Sequence, residues 1–120
     1  MTNKSLIENM GIGIDIVDAN RFKKIPYMKK KEFYKKIFTK SEIDYCLSFK
    51  DNYIHFAGKF AVKEALVKSI SKKVKLIHIK TSHSNSSPIV SIDSNKQYAF
   101  LVSISHEANL AVAVVISIKR

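Results

Sequence analysis

Apolar and polar positions alternate with a period of two along Gly11-Ile12-Gly13-Ile14-Asp15-Ile16-Val17, the spacing of a β-strand. Ile12, Ile14 and Ile16 then share one face, and Gly11, Gly13 and Asp15 share the other. Further on, Val17 to Ile25 reads as a short helix ended by Pro26, and Lys31 to Phe38 as another. Thr39-Lys40-Ser41-Glu42 has the form of a capping box, with Thr39 at N-cap and Glu42 at N3, opening a helix through about Phe49. Asp51 or Asn52 can cap the longest helix, which runs to about Ser71. Val74 to Lys80 and Pro88 to Asp93 read as strands around a polar loop, Thr81 to Ser87. Tyr98 to Ser105 and Leu110 to Ile118 read as a closing antiparallel pair joined across His106-Glu107-Ala108-Asn109.

On the long helix, Ala57, Ala61, Glu64 and Lys68 fall on one narrow stripe, with Phe56, Phe60 and Val67 beside it. The last strand offers a matching small face, Ala111, Ala113 and Ser117, so helix and sheet can pack closely. Asp15, with only glycines on its strand face, has bare backbone around it and room for a charged ligand. A strand-end cap is the plainer reading of that aspartate, as a surface ion pair is of Glu64 and Lys68. Taken together, two carboxylates from separate elements suit magnesium, which is held by one or two carboxylates and completes its shell with water and phosphate oxygens. Ser103, Ser105 and His106 lack the glycine elbow and oriented acid of a serine hydrolase; phosphate or ribose hydrogen bonding suits them better, or simple satisfaction of local backbone.

With 120 residues and 46% hydrophobic content the chain bounds one modest domain, neither disordered nor membrane-spanning. The first ten residues have no apolar signal core, and one cysteine, Cys46, supports neither a disulfide nor a cysteine-based metal site, so the expected location is the cytoplasm. The net charge is +11, and nine basic residues between Arg21 and Lys40 face a single acid, Glu32. Such a field steers an acidic protein, a polyphosphate cofactor or nucleic acid. Phe22, Phe33 and Phe38 are spaced as core anchors rather than exposed stacking platforms, which argues against nucleic acid.

Three segments in this order, GIGIDIV near the N-terminus, FAGKFAVKEA in the middle and VSISH near the C-terminus, resemble the holo-[acyl-carrier-protein] synthases, the small class of 4'-phosphopantetheinyl transferases. The resemblance spans about Gly11 to Ile118. It implies an α+β fold, a small antiparallel sheet packed on one long helix and shorter helices. That fold forms a single domain over 1–120, with 1–10 a short N-terminal extension. The implied activity moves 4'-phosphopantetheine from coenzyme A to a serine of an acidic apo acyl carrier protein, with Mg2+, releasing adenosine 3',5'-bisphosphate. Carriers of fatty-acid synthesis are the default partner, with polyketide and peptide-synthesis carriers left open.

Residue by residue, the resemblance implies Asp15 and Glu64 as metal ligands and, with Lys68, as the catalytic group; Lys68 would neutralise the diphosphate. Lys59 and Lys63 would contact coenzyme phosphates, and Ser105 and His106 would lie near its nucleotide end. Arg21, Lys24 and Lys29 would grip the carrier. Relatives of this kind are homotrimers with the site at a subunit junction. The chain departs from the family pattern in three places: Lys59 replaces the usual arginine, the loop Ser69 to Val74 has no glycine, and Ser86-Ser87-Pro88 stands where a glycine-proline turn is expected. A non-catalytic relative that binds a carrier or coenzyme A is the alternative, and a basic nucleic-acid-binding domain the distant one.

Overall fold

The computed structural model describes residues 7–93 and 97–120; the first six residues of the expected N-terminal extension lie outside them. Strand β1 (Met10–Asp18) is followed by helix α1 (Asn20–Lys24), a 3-10 turn (Tyr27–Lys29), α2 (Lys31–Lys35), α3 (Lys40–Leu47) and the long α4 (Asn52–Ile70). After a second 3-10 turn (Leu76–His78) come the hairpin β2 (Ile79–Ser84) and β3 (Ser87–Ile92), then β4 (Tyr98–Glu107) and β5 (Leu110–Lys119). Strands β1, β5 and β4 form one antiparallel sheet in that order, and β2 and β3 form a second. The fold is α+β, as expected.

The glycines of β1 are there for the helix. A Cβ on Gly13 would overlap the Ala65 carbonyl oxygen, and one on Gly11 would overlap that of Ser69. The bare strand face is therefore filled by the backbone of α4 and is not open space for a ligand, a correction to the sequence reading. Ala57, Ala61, Ala65, Ala111 and Ala113 are all fully buried, and Ser117 Oγ donates to the Ser69 carbonyl at 3.0 Å. Small residues on both partners let helix and sheet approach to backbone contact.

The opposite face of the same sheet is uncovered. Ile12, Ile14 and Ile16 are 69, 59 and 60% exposed. The strand register sets them beside Ile116, Val114 and Val112, which in turn pair with Leu101, Ser103 and Ser105. The apolar core proper lies on the other side of the sheet, around α4. There Phe22, Tyr34, Phe38 and Phe56 cluster, with Tyr34 and Phe56 edge to face at 4.7 Å. The Tyr34 hydroxyl donates to the Ile25 carbonyl at 2.7 Å, and burial pushes its pKa up to about 12. Phe22 and Phe38 anchor in this core as expected, but Phe33 is exposed.

Several boundaries differ from the sequence reading. Val17 is a buried strand residue, so β1 runs to Asp18 before the chain turns into α1. Helix α2 stops at Lys35, because the next residues turn to bury Ile37 and Phe38. The capping box of α3 is present with both reciprocal bonds, whereas Asp51 makes no capping bond to α4. The strand expected from Val74 begins only at Ile79, after the 3-10 turn. The expected loop Thr81 to Ser87 is largely hairpin, closed by Asn85 and Ser86 at positive φ, as a two-residue type I' turn requires. Likewise β4 extends through His106 to Glu107, and Ala108, with φ 52°, turns the chain toward β5.

Candidate functional site

Two groups of site residues lie on opposite sides of α4, and Lys63 and Ser105 belong to neither. On the β1 side, Lys68 Nζ donates to Asp15 Oδ1 at 3.2 Å and to the Ile14 carbonyl at 3.0 Å. Lys68 thus pairs with the strand carboxylate rather than with Glu64. The plain capping role falls to Asp18, whose Oδ1 accepts from the Asn20 backbone N–H at 2.9 Å, which leaves Asp15 free of it. Glu64 faces the same group: burial first, and then the Asp15 charge, raise its carboxyl above the ordinary glutamate range, while Lys68 and Arg21 oppose them. Arg21 lies with its guanidinium 5.2 Å from the Phe60 ring centre. Asp15, Glu64, Lys68 and Arg21 are therefore brought together by β1, α4 and α1.

Two carboxylates forced close enough to repel each other form a site that a cation relieves. Among the described residues no cluster of three or more histidine, cysteine, aspartate or glutamate side chains is suited to enclose a metal. The donor set fits a hard ion that takes its remaining oxygens from water and phosphate, and Mg2+ is such an ion.

Lys63 lies elsewhere. Its Nζ is fully buried and donates to the Ile37 carbonyl at 2.6 Å, Glu42 Oε1 at 2.7 Å and the Leu76 carbonyl at 3.1 Å. All three ammonium donors are thereby engaged, so the expectation that Lys63 contacts a coenzyme phosphate is corrected: it ties α4 to the segments on either side. Glu42 also accepts from the Thr39 and Thr81 N–H groups, both at 2.8 Å, and from Thr81 Oγ1 at 2.7 Å. Burial alone would raise the Glu42 carboxyl; the hydrogen bonds from Lys63 and Thr81, the Lys63 charge and the Thr39 N–H outweigh it and hold the carboxyl below its usual range.

On the β4 side, Lys59 is only 6% exposed. Its Nζ donates to Thr81 Oγ1 at 2.9 Å and sits 4.7 Å from the Tyr45 ring centre. A small cavity of about 60 Å³ brings Lys59 together with Tyr45, His55, Gly58, His83, Ile104 and His106. It adjoins a cleft of about 350 Å³ that shares five of those residues and reaches Ser86 and Pro88. A Cβ on Gly58 would lie 3.2 Å from His106 Nε2, so the glycine makes room for the imidazole. Ser105 is separated from His106: alternation along β4 sets it on the exposed outer face, opposite Val112. Sequence reasoning missed His55, His83 and Tyr45, which come from two helices and a hairpin and carry no shared spacing. Arg21, Lys24 and Lys29 are exposed around α1 and the following turn.

The family model of the 4'-phosphopantetheinyl transferase superfamily matches residues 11–115. The holo-[acyl-carrier-protein] synthase of Thermodesulfovibrio yellowstonii is 41% identical over 110 residues, covering 88% of this chain and 96% of that one. The enzyme of the same name from Chlamydia muridarum is 35% identical, over 89% and 93% of the two chains. Among solved structures, holo-[acyl-carrier-protein] synthase of Helicobacter pylori in complex with coenzyme A is 34% identical with a TM-score of 0.76, over 88% and 98%. The Bacillus anthracis synthase in complex with CoA (3',5'-ADP) is 29% identical with a TM-score of 0.79, over 92% and 96%.

Proposed function

Because the chain belongs to the 4'-phosphopantetheinyl transferase superfamily, we propose that it is a holo-[acyl-carrier-protein] synthase that transfers 4'-phosphopantetheine from coenzyme A to a serine of an acidic apo acyl carrier protein and releases adenosine 3',5'-bisphosphate. The observation that carries this reading is the convergence of Asp15, Glu64 and Lys68 from a strand and a helix. Asp15 and Glu64 would hold Mg2+, which when bound supplies positive charge to the phosphoryl oxygens of the diphosphate. Lys68, now paired with Asp15, turns to the diphosphate and gives a proton to the leaving phosphate as the phosphoanhydride bond breaks. Glu64 itself, or a water beside it, takes the proton of the attacking serine. The chain's other contribution is position: β1 and α4 in backbone contact fix the spacing of the two carboxylates.

Arg21, whose charge reaches Glu64, and the exposed Lys24 and Lys29 that follow it would steer and seat the acidic carrier. Lys59 and His106 would receive the nucleotide end of the coenzyme. Because they lie across α4 from Asp15 and Glu64, a complete site joins the β1 side of one copy to the β4 side of another. The uncovered isoleucine and valine face of the sheet supports the homotrimer expected from the sequence. No helix among the described residues is long and apolar enough to cross a membrane.

The reading is tested by intact-mass spectrometry of apo acyl carrier proteins incubated with the protein, coenzyme A and Mg2+. A gain of one phosphopantetheine, absent with Asp15→Ala, Glu64→Ala or chelator, establishes the reaction. No gain across several carriers while coenzyme A still binds points to a non-catalytic carrier- or coenzyme-binding relative.

A further inference from the structure

Three histidines and a buried lysine face one another across the cavity beside β4. His55 comes from α4, His83 from β2 and His106 from β4, with Lys59 beneath them. Tyr45 closes the side, its ring stacked on His83 at 5.1 Å. His55 stacks on Phe49 at 3.7 Å. Lys59 is more than nine-tenths buried as a residue, yet the one hydrogen bond of its ammonium is to a neutral hydroxyl, Thr81 Oγ1. The nearest buried acid, Glu42, is committed to Lys63, Thr39 and Thr81. At the rim, Asp51 Oδ1 is 3.6 Å from His55 Nε2. Glu107 follows His106 but is exposed. A buried cation with no anion of its own, ringed by groups that can acquire positive charge, is a receptor for an anion.

We propose that His55 and His83 complete a phosphate-binding cavity around Lys59 and His106, and that an anion entering it binds together with protons taken up by those two histidines. This deepens the coenzyme reading above and rests on it for the identity of the ligand, a phosphate-bearing nucleotide. In the free protein the two imidazoles are biased toward the neutral form. For His55, burial is the main cause, followed by the charges of His106, Lys59 and His83, with Asp51 opposing. For His83, burial and then the Lys59 charge act in the same direction. An anion reverses the sign of the local field and favours imidazolium. Affinity therefore falls as pH rises from the free-state values, which lie below the ordinary histidine value of about 6.5, through the higher bound-state ones, by about tenfold for each histidine whose pKa the anion raises by about one unit. The ligand's own ionisation works the other way, since a phosphate monoester gains charge with rising pH. The direction of proton exchange thus separates the protein's contribution from the ligand's.

The test is calorimetric titration of the intact protein with coenzyme A at pH 6.5 and 8.0, in buffers of different ionisation heat, so that protons exchanged per ligand are counted. Net proton uptake at pH 6.5, lost in the double variant His55→Gln, His83→Gln, is the expected result. Binding of coenzyme A with no uptake, or with uptake unchanged in the double variant, overturns the inference and leaves the coenzyme reading intact. If coenzyme A does not bind at either pH, that reading fails. Titration with inorganic pyrophosphate then decides the cavity by the same proton count, uptake that depends on the two histidines upholding it and its absence overturning it. Histidine Cε1–H resonances of the unmodified protein, followed against pH with and without ligand, give the answer independently of how the variant folds. Two pKa values must rise on binding.

Discussion

Gly13 and Ala65 meet backbone to backbone: the position a Cβ would take on the glycine is already occupied by the alanine's carbonyl oxygen. This contact sets the distance between the element that carries Asp15 and the one that carries Glu64. Gly13→Ala is expected to cost about 3 kcal/mol or more, the upper range for overpacking, because the obstacle is helix backbone that cannot rotate away. Urea denaturation checks the loss. Any folded fraction should transfer phosphopantetheine more slowly at saturating substrate, since the two carboxylates are pushed apart.

The buried pair of Glu42 and Lys63 gives a pH dependence of defined sign. Because the Glu42 carboxyl is held below its usual range, its contribution to stability is complete above the unfolded value, about pH 4.3. It is lost as pH falls through the lower folded value. Glu42→Gln should cost about 3–5 kcal/mol at neutral pH, since it leaves the Lys63 charge buried among carbonyls. Thermal melts from pH 7 to pH 3 should show a shallower acid decline for the variant than for the unmodified protein.

Removal of the metal site should separate chemistry from folding. Asp15→Asn and Glu64→Gln are expected to leave the melting temperature within a few degrees, because both side chains lie at the margin of the core. Both should abolish detectable carrier modification at any Mg2+ concentration. A variant that regained full activity at high Mg2+ would show that its carboxylate tunes affinity only.

The uncovered sheet face predicts an oligomer. Ile14→Lys and Val114→Lys, which pair across β1 and β5, should each reduce the mass measured by light scattering while leaving the circular dichroism of the chain unchanged. Activity should fall with mass, since the β1 side and the β4 side then no longer meet. A monomeric unmodified protein that turns over substrate would overturn the trimer.

Besides Asn85 and Ser86 in the β2–β3 turn, two further non-glycine residues carry positive φ, Ser71 at the end of α4 and Ala108 in the last hairpin. Ser71→Gly and Ala108→Gly are each expected to stabilise by about 1 kcal/mol, because glycine adopts this conformation without a Cβ clash. Paired melts measure the shift. Ser71 supplies the left-handed turn that the glycine-free loop lacked in sequence: its N–H donates to the Val67 carbonyl at 3.2 Å.

What could be read from the chain was what depends on near neighbours. Thr39 and Glu42 are three residues apart and announce their capping box; Glu64 and Lys68 lie one turn apart, and the alternation of Ile12, Ile14 and Ile16 states a strand. What could not be read depends on contacts made at a distance. The alternation gives two faces of β1 but not which one meets the helix, and the glycine side proved to be the packed one. Lys63 resembles a solvent-facing lysine until Ile37, Glu42 and Leu76 close over it. His55, His83 and His106 are separated by 28 and 23 residues, and only the approach of the β2–β3 hairpin to α4 makes them neighbours.

The isoleucine face stands against the chain's net charge of +11, and the balance between them is adjustable from outside. Like charges hold separate copies apart at low ionic strength, where the screening length is long, and salt shortens it to about 8 Å near physiological conditions. Burial of the apolar face is indifferent to that screening. Salt added during purification should therefore drive copies together rather than apart, and a preparation dialysed into dilute buffer should be the one that loses its partners.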